Sequence, residues 1–393
     1  MKIIDLVYFN FGGGHRSAAL ALQEAIGNQH RPWQVRLLNL VDVLDPKQSF
    51  RKLTGIRPEE IYNTCLRRGW TYGLSTELKI LQGMIRFSHP TIVSRLQQHW
   101  LSAKPDLVVS LVPNFNKALC ESVRDSLNGV PFVTVLTDLA DYPPNFWIEP
   151  GQDQHLVCGT AHAARQARSA GYSDAQIRTT SGMILRPAFY CLPDLKREAD
   201  CEKYGFDPQR PIGVVLFGGH GSAQMLGIAR ALADVQLILL CGHNQNLKTK
   251  LEALVTPARH LVVGFATDVE HYMRLGDFLI GKPGPGSLSE AVHMGLPVIT
   301  FKNASTMPQE RYNATWVREQ GVGLVLPSLK GIRAAVTKMI EALPEFRGAV
   351  ERIDNRAVFE VIDIFEQLLA MQNQESGFNA QPAETTELAL LIG

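Results

Sequence analysis

Ligand-like cysteine spacing is missing from this chain: Cys65, Cys120, Cys158, Cys191, Cys201 and Cys241 are scattered and form no CxxC pair. A structural metal site of that kind is excluded, and free thiols are expected in sequence of otherwise cytosolic character. No run approaches the ~18–20 apolar residues that a membrane-spanning helix needs, so any lipid chemistry would take place at a bilayer surface. The first residues lack the apolar core and small-residue cleavage site of a signal peptide. A cytoplasmic protein is therefore expected, with peripheral contact at the inner face of the cytoplasmic membrane as an option. Charge bias is absent as well. A net charge of +1 gives no global field for nucleic acid, and no nucleic-acid partner is expected. Neither GxGxxG, nor GxxxxGK[ST], nor GxSxG occurs, which disfavours the usual dinucleotide fold, the nucleotide triphosphate loop and the hydrolase elbow.

What is present is the rhythm of an α/β protein. The chain has 393 residues, 45% of them hydrophobic and 20% charged, enough for two globular domains with cores of their own. "KIIDLVYF", "WQVRLLNLV", "DLVVSLV", "PFVTVLTDL" and "QHLVCGT" are strand candidates alternating with helical stretches. A second series runs through "PIGVVLFGG", "VQLILLCG", "HLVVGF", "GDFLIGK", "LPVITF" and "GVGLVL". Two doubly wound parallel sheets with a cleft between them are expected. Residues 1–195 form the first domain and 207–345 the second, with a charged, Gly- and Pro-containing linker over 195–211. Helices over 346–372 return to the first domain, and a polar, disordered tail occupies 373–393.

One region breaks the pattern. Residues 47–101 hold no clear strand, but mix Trp70, Tyr72, Phe87 and several leucines with basic residues. A helical insertion in the first domain is expected, either packed on it or facing a membrane.

Three strand-to-helix turns are rich in glycine: Gly12, Gly13 and Gly14; "FGGHGS" from Phe217; and "GKPGPGSLSEA" from Gly281. Such turns gather unpaired N–H groups and a positive dipole end at one spot, which suits phosphate. Glycine also serves left-handed turns for geometry alone, so each one singly is ambiguous. In the third, Ser287 is placed to cap the helix, and Glu290, one turn on, suits two adjacent ribose hydroxyls; a plain helix start is the alternative.

Taken in order, "GGGHRSAA", "VTVLTDL", "VCGTAHAARQARSAGYSDAQIR", "GMILRPAF", "LFGGHGS", "VVGFATDVEHYM", "KPGPGSLSEAVHMGLPVI" and "QERYNATWV" resemble the landmarks of glycosyltransferase family 28. Its members include plant monogalactosyldiacylglycerol synthases and bacterial diacylglycerol glucosyltransferases. The resemblance implies a GT-B fold, two facing Rossmann-like domains. It implies an inverting transfer of galactose or glucose from a UDP-sugar to a lipid hydroxyl, most plausibly that of diacylglycerol, with no cofactor and no metal.

The same resemblance places the donor on Gly13, Gly14, Gly218, Gly219, Phe265, Gly284, Gly286, Ser287, Glu290, Gln309, Glu310 and Asn313. Phe265 would meet the uracil, Glu290 the ribose, and Gln309 and Glu310 the sugar hydroxyls. His15 is expected as the base, with a role limited to phosphate binding or capping as the alternative. Asn10 stands where an acid is usual, which makes Asp138 the substitute. Trp147 is displaced from the family's acceptor-side position and is expected, with Trp70, Tyr72 and Phe87, near the acceptor or membrane. Two further readings stay open: a soluble metabolite or glycan acceptor, and a catalytically weak nucleotide-sugar-binding protein.

Overall fold

The computed structural model describes residues 1–10, 13–46, 74–191 and 196–378, without the side chains of 74–81 and 373–378. Two six-stranded sheets dominate it. The first is built from β1 (Lys2–Tyr8), β2 (Trp33–Asn39), β3 (Leu107–Ser110), β4 (Phe132–Val135), β5 (His155–Cys158) and β6 (Ile177–Thr179), in spatial order β2-β1-β3-β4-β5-β6. The second contains β7 (Ile212–Leu216), β8 (Gln236–Leu240), β9 (His260–Val263), β10 (Phe278–Gly281), β11 (Val298–Phe301) and β12 (Gly323–Leu326), in order β12-β11-β10-β7-β8-β9. Every pairing is parallel. Parallel neighbours need crossover connections, and the helices that supply them cover both faces of each sheet. That is why the central strands read as unbroken apolar runs such as "LVVS" and "IGVVL", buried throughout. The short edge strand β6 escaped the sequence reading, because Ile177 is its one buried residue.

Packing turns each helix to a definite face. The helix over Pro285–His293 lays Leu288, Ala291 and Val292 against Val214, Leu216 and Leu279 of the second sheet, and so keeps Gly286 and Glu290 off that face. The final helix, Ala357–Phe378, belongs to the first domain's core. Val358, Val361, Ile362 and Phe365 pack with Ile4, Leu6 and Leu22, and Arg31 bonds Asp363 at 3.2 Å and Glu366 at 2.7 Å. This helix continues past residue 372, into the stretch expected to be tail, as far as Phe378.

The segment expected to link the domains is folded onto the second one. Arg197–Tyr204 is a helix with Cys201 fully buried, and the Arg197 guanidinium donates to Asp277 Oδ2 at 2.7 Å. Low apolar density there reflects paired charges. The chain instead crosses between domains near Thr180–Met183 and near Asp354–Arg356. Asn355 Nδ2 donates to the Met183 carbonyl at 2.9 Å, and its Oδ1 accepts from Ala357 N at 3.0 Å. Glu360 Oε2 accepts from Ser181 N and Oγ at 2.7 and 2.9 Å. A Cβ on Gly182 would lie 2.7 Å from the Asn355 side chain, so the two crossings touch. A cavity of about 450 Å³ adjoins them, flanked by the cross-domain stack of His162 on Tyr312, whose ring centroids are 4.1 Å apart.

Of the expected insertion, the described part is one helix, Leu74–Ala103, with Pro90 inside it. Ile92, Leu96 and Trp100 face the domain, and the Trp100 indole donates to Ser122 at 2.9 Å. Phe87 and Met84 point outward, 90% and 62% exposed. Trp70 and Tyr72 lie outside the described residues.

Candidate functional site

In open parallel sheets ligands bind beyond the carboxyl ends of the strands, where the strand order reverses. Here the reversals fall between β1 and β3 in the first sheet and between β7 and β10 in the second. The glycine turns leave β1, β7 and β10 at those points. Gly13 holds φ +85° at the start of the helix Gly14–Asn28, with no side-chain cap and no acidic residue in the first turn. The helix Pro285–His293 also starts bare, on Gly284 and Pro285. Both leave N–H groups of the first turn available to an anion. Ser287, expected as the cap, donates instead to the Gly284 carbonyl at 3.3 Å. Cβ atoms on Gly13, Gly14, Gly219 or Gly286 would meet none of the described residues within 4 Å. These main-chain stretches border open space, as close approach of a ligand to the backbone requires.

Gly242, which the sequence reading passed over, serves a different end. At φ +56° its Cβ would overlap the Gly219 carbonyl oxygen, which accepts from His243 N at 2.9 Å. It thereby seats the Gly218–Gly219 turn against the end of β8. His243 stacks on Phe265, with ring centroids 4.0 Å apart and planes 16° from parallel, and Phe265 is 58% exposed.

The first domain contributes His15, Asp138 and Trp147 as one cluster. His15 Nδ1 is 3.1 Å from Thr137 Oγ1, and its ring centroid is 5.7 Å from that of Trp147. Burial lowers the His15 pKa to about 4, partly offset by a hydrogen bond with the Leu111 main chain. The Trp147 indole N–H donates to Asp138 Oδ2 at 2.9 Å. Burial raises the Asp138 pKa to about 7; the Trp147 bond pulls it back, the Glu310 carboxylate raises it and Lys282 lowers it. Asp138 thus feels two charges of the opposite domain. Trp147 is fully buried, which leaves it no surface to offer a membrane. Its main-chain N–H donates at 2.6 Å to Asp141 Oδ1, and Asp141 Oδ2 takes Asn145 N at 2.9 Å, which fixes the loop. Asp141 was not singled out in the sequence, because its partners are main-chain groups. Asn10 lies two residues past the end of β1, partly buried.

Across the cleft, Lys282 Nζ is 2.7 Å from Glu310 Oε1. Gln309 sits beside Glu310, half-buried, with Nε2 3.9 Å from the Met307 sulfur. Asn313, expected among the donor-binding residues, is wholly buried and donates to the Pro283 carbonyl at 2.8 Å, so it braces the Lys282–Gly284 loop from behind. Burial raises the Glu290 pKa to about 7, with Arg186 opposing and Glu270 reinforcing the shift. Arg186 is bonded to Glu270 at 2.7 Å.

Comparisons with known proteins agree with this layout. Residues 15–183 match the family model for monogalactosyldiacylglycerol (MGDG) synthase, and residues 214–351 match that for the glycosyltransferase family 28 C-terminal domain. Monogalactosyldiacylglycerol synthase 1, chloroplastic, of Arabidopsis thaliana is 28% identical over 95% of this chain and 72% of its own length. The chloroplastic synthase of Spinacia oleracea is 28% identical over 94% and 73%. Among solved structures, MurG of Acinetobacter baumannii superposes with a TM-score of 0.58 at 14% identity, covering 93% of this chain and all of that one. Os79 of O. sativa, in complex with UDP, gives 0.58 at 11% identity, covering 94% and 99%. At such identities the structural likeness speaks for the fold. One match in each domain, on a two-sheet GT-B frame, identifies residues 214–351 as a glycosyltransferase family 28 C-terminal domain and relates residues 15–183 to the monogalactosyldiacylglycerol synthases.

Proposed function

We propose that this enzyme moves a hexose, galactose or glucose, from a UDP-sugar to the free hydroxyl of diacylglycerol, inverting the sugar carbon and using no metal ion. The observation that carries the reading is Asp138: a buried carboxyl of pKa about 7 within electrostatic reach of Lys282 and Glu310 of the opposite domain, in a chain whose glycine turns are open to a ligand. In the proposed step the acceptor oxygen bonds to the sugar C1 while the bond from C1 to the β-phosphate oxygen breaks. The electron pair of that bond leaves with UDP, and the hydroxyl proton passes to Asp138.

A base is most effective when its pKa lies near the working pH, and the step is typically worth about 10²- to 10⁴-fold. Asp138 meets that condition, whereas His15, at about 4, is a weak base that stays neutral. The base role expected of His15 therefore moves to Asp138, and His15 becomes a positioning residue packed on Trp147. Oriented N–H groups at Gly219, Gly286 and the first turn of Gly14–Asn28 take up the charge that develops on the departing UDP. Glu290 serves the ribose, and the outer face of the His243–Phe265 pair serves the uracil.

Diacylglycerol resides in bilayers, and Phe87 and Met84 give the first domain an apolar edge to meet one. Among the described residues no helix is long and apolar enough to cross a membrane. The deciding experiment is incubation of the full chain with diacylglycerol vesicles and labelled UDP-galactose or UDP-glucose. A labelled lipid of inverted anomeric configuration is expected; none from either donor overturns the proposal.

A further inference from the structure

Lys282 is a cleft cation to which the reading above assigns no task. Its ammonium is bonded to Glu310 Oε1 at 2.7 Å. Its Cε stands 3.4 Å from where a Cβ on Gly218 would be, and 3.4 Å from the same point on Gly284. The side chain therefore runs between the two turns of the second domain that border the diphosphate position. Glu310 is only 7% exposed, and its Oε1 lies 3.7 Å from the Gly284 Cβ position. A carboxylate so enclosed depends on its cation, since removing one partner of a buried pair leaves a charge uncompensated.

We propose that Lys282 and Glu310 form an exchangeable pair that couples recognition of the two halves of the donor: the diphosphate takes the ammonium, and the hexose hydroxyls take the carboxylate so released. This deepens the UDP-sugar reading and rests on it. The lysine chain is flexible and carries three donors, so it can follow the negative charge from a carboxylate to a phosphate oxygen. Glu310, an acceptor of several hydrogen bonds, is satisfied only if hydroxyls arrive with the diphosphate. A UDP-sugar supplies both partners. UDP alone supplies one and must compete with Glu310 for Lys282. The pair therefore favours the sugar-bearing donor and helps expel UDP once the sugar has gone.

The test is calorimetry of UDP, uridine and UDP-glucose or UDP-galactose with the full chain and its Lys282→Met and Glu310→Gln variants. Loss of a charge-assisted contact in Lys282→Met is expected to weaken UDP about tenfold or more. Uridine, which has no phosphate, should bind the same variant as it binds wild type, and this checks that the site is still folded. Glu310→Gln removes the competitor, so UDP should bind more tightly than to wild type while the advantage of UDP-sugar over UDP shrinks. Equal losses for UDP and uridine, an unchanged UDP affinity in Lys282→Met, or weaker UDP binding by Glu310→Gln would each overturn the exchange. Absence of UDP binding by wild type overturns both this inference and the transferase reading. The expected binding pattern with no glycolipid formed overturns lipid transfer alone.

Discussion

The Trp147 indole N–H donates to Asp138 Oδ2 at 2.9 Å inside the first domain, so this carboxyl takes a donor from a residue with no exposed surface. The bond stabilises the carboxylate against burial, which otherwise drives the proton on. Trp147→Phe keeps an aromatic ring and deletes the donor. The midpoint of the pH–rate profile is expected to move to higher pH in this variant, with UDP affinity retained. An unmoved midpoint separates Trp147 from the proton transfer.

Asp138→Asn should lower kcat about 10²- to 10⁴-fold while UDP binding persists. It should also stabilise the fold at high pH. Asp138 ordinarily titrates at 3.8 and here at about 7. Between those values the folded chain keeps a proton that the unfolded chain has released. Wild-type stability from this group thus falls as pH rises from about 4 to about 7, and stays reduced above. Denaturant unfolding of variant and wild type should coincide near pH 4 and diverge at pH 8, in favour of the variant, by an amount on the order of 4 kcal/mol.

Two glycines of one turn region should behave oppositely. Gly219→Ala adds a methyl group into open space, so unfolding should be within about 0.5 kcal/mol of wild type. UDP affinity should nevertheless drop, since the methyl occupies the path to the backbone. Gly242→Ala combines positive φ with overlap on the Gly219 carbonyl and should destabilise by about 1–3 kcal/mol. Thermal unfolding beside UDP titration distinguishes the two.

Replacing Phe87 and Met84 together by serine removes apolar surface that is exposed among the described residues. Fully burying one such side chain is worth about 1.5–3 kcal/mol, so co-sedimentation with diacylglycerol vesicles should fall at least about tenfold. Unfolding should be unchanged. Undiminished sedimentation would remove this edge from the lipid contact.

Much of the frame was legible because its physics is local. Parallel strands buried on both faces must be apolar throughout, so β3, β4, β7 and β8 stood out, whereas β6 is three residues long with only Ile177 buried. The glycine turns were readable because backbone approach forbids side chains. Burial was not readable. Trp147 and Asn313 carry polar atoms and looked available to ligands, yet both are enclosed and satisfy main-chain or carboxyl groups of their own domain. Nor could the stack of His243 on Phe265 be foreseen, since it joins the ends of two neighbouring strands. The proton affinities of His15 and Asp138 depend on enclosure, which no motif encodes.

The closing helix at Ala357–Phe378 makes the first domain discontinuous, with the second spliced into it between Met183 and Asn355. The two crossings are bonded side by side, so neither shifts without the other, and Asp138 stays within electrostatic reach of Lys282 through that paired connection. Severing the chain ahead of Ala357 would both undo the pairing and strip Ile4 and Leu6 of their cover, so loss of alignment and loss of solubility should arrive together.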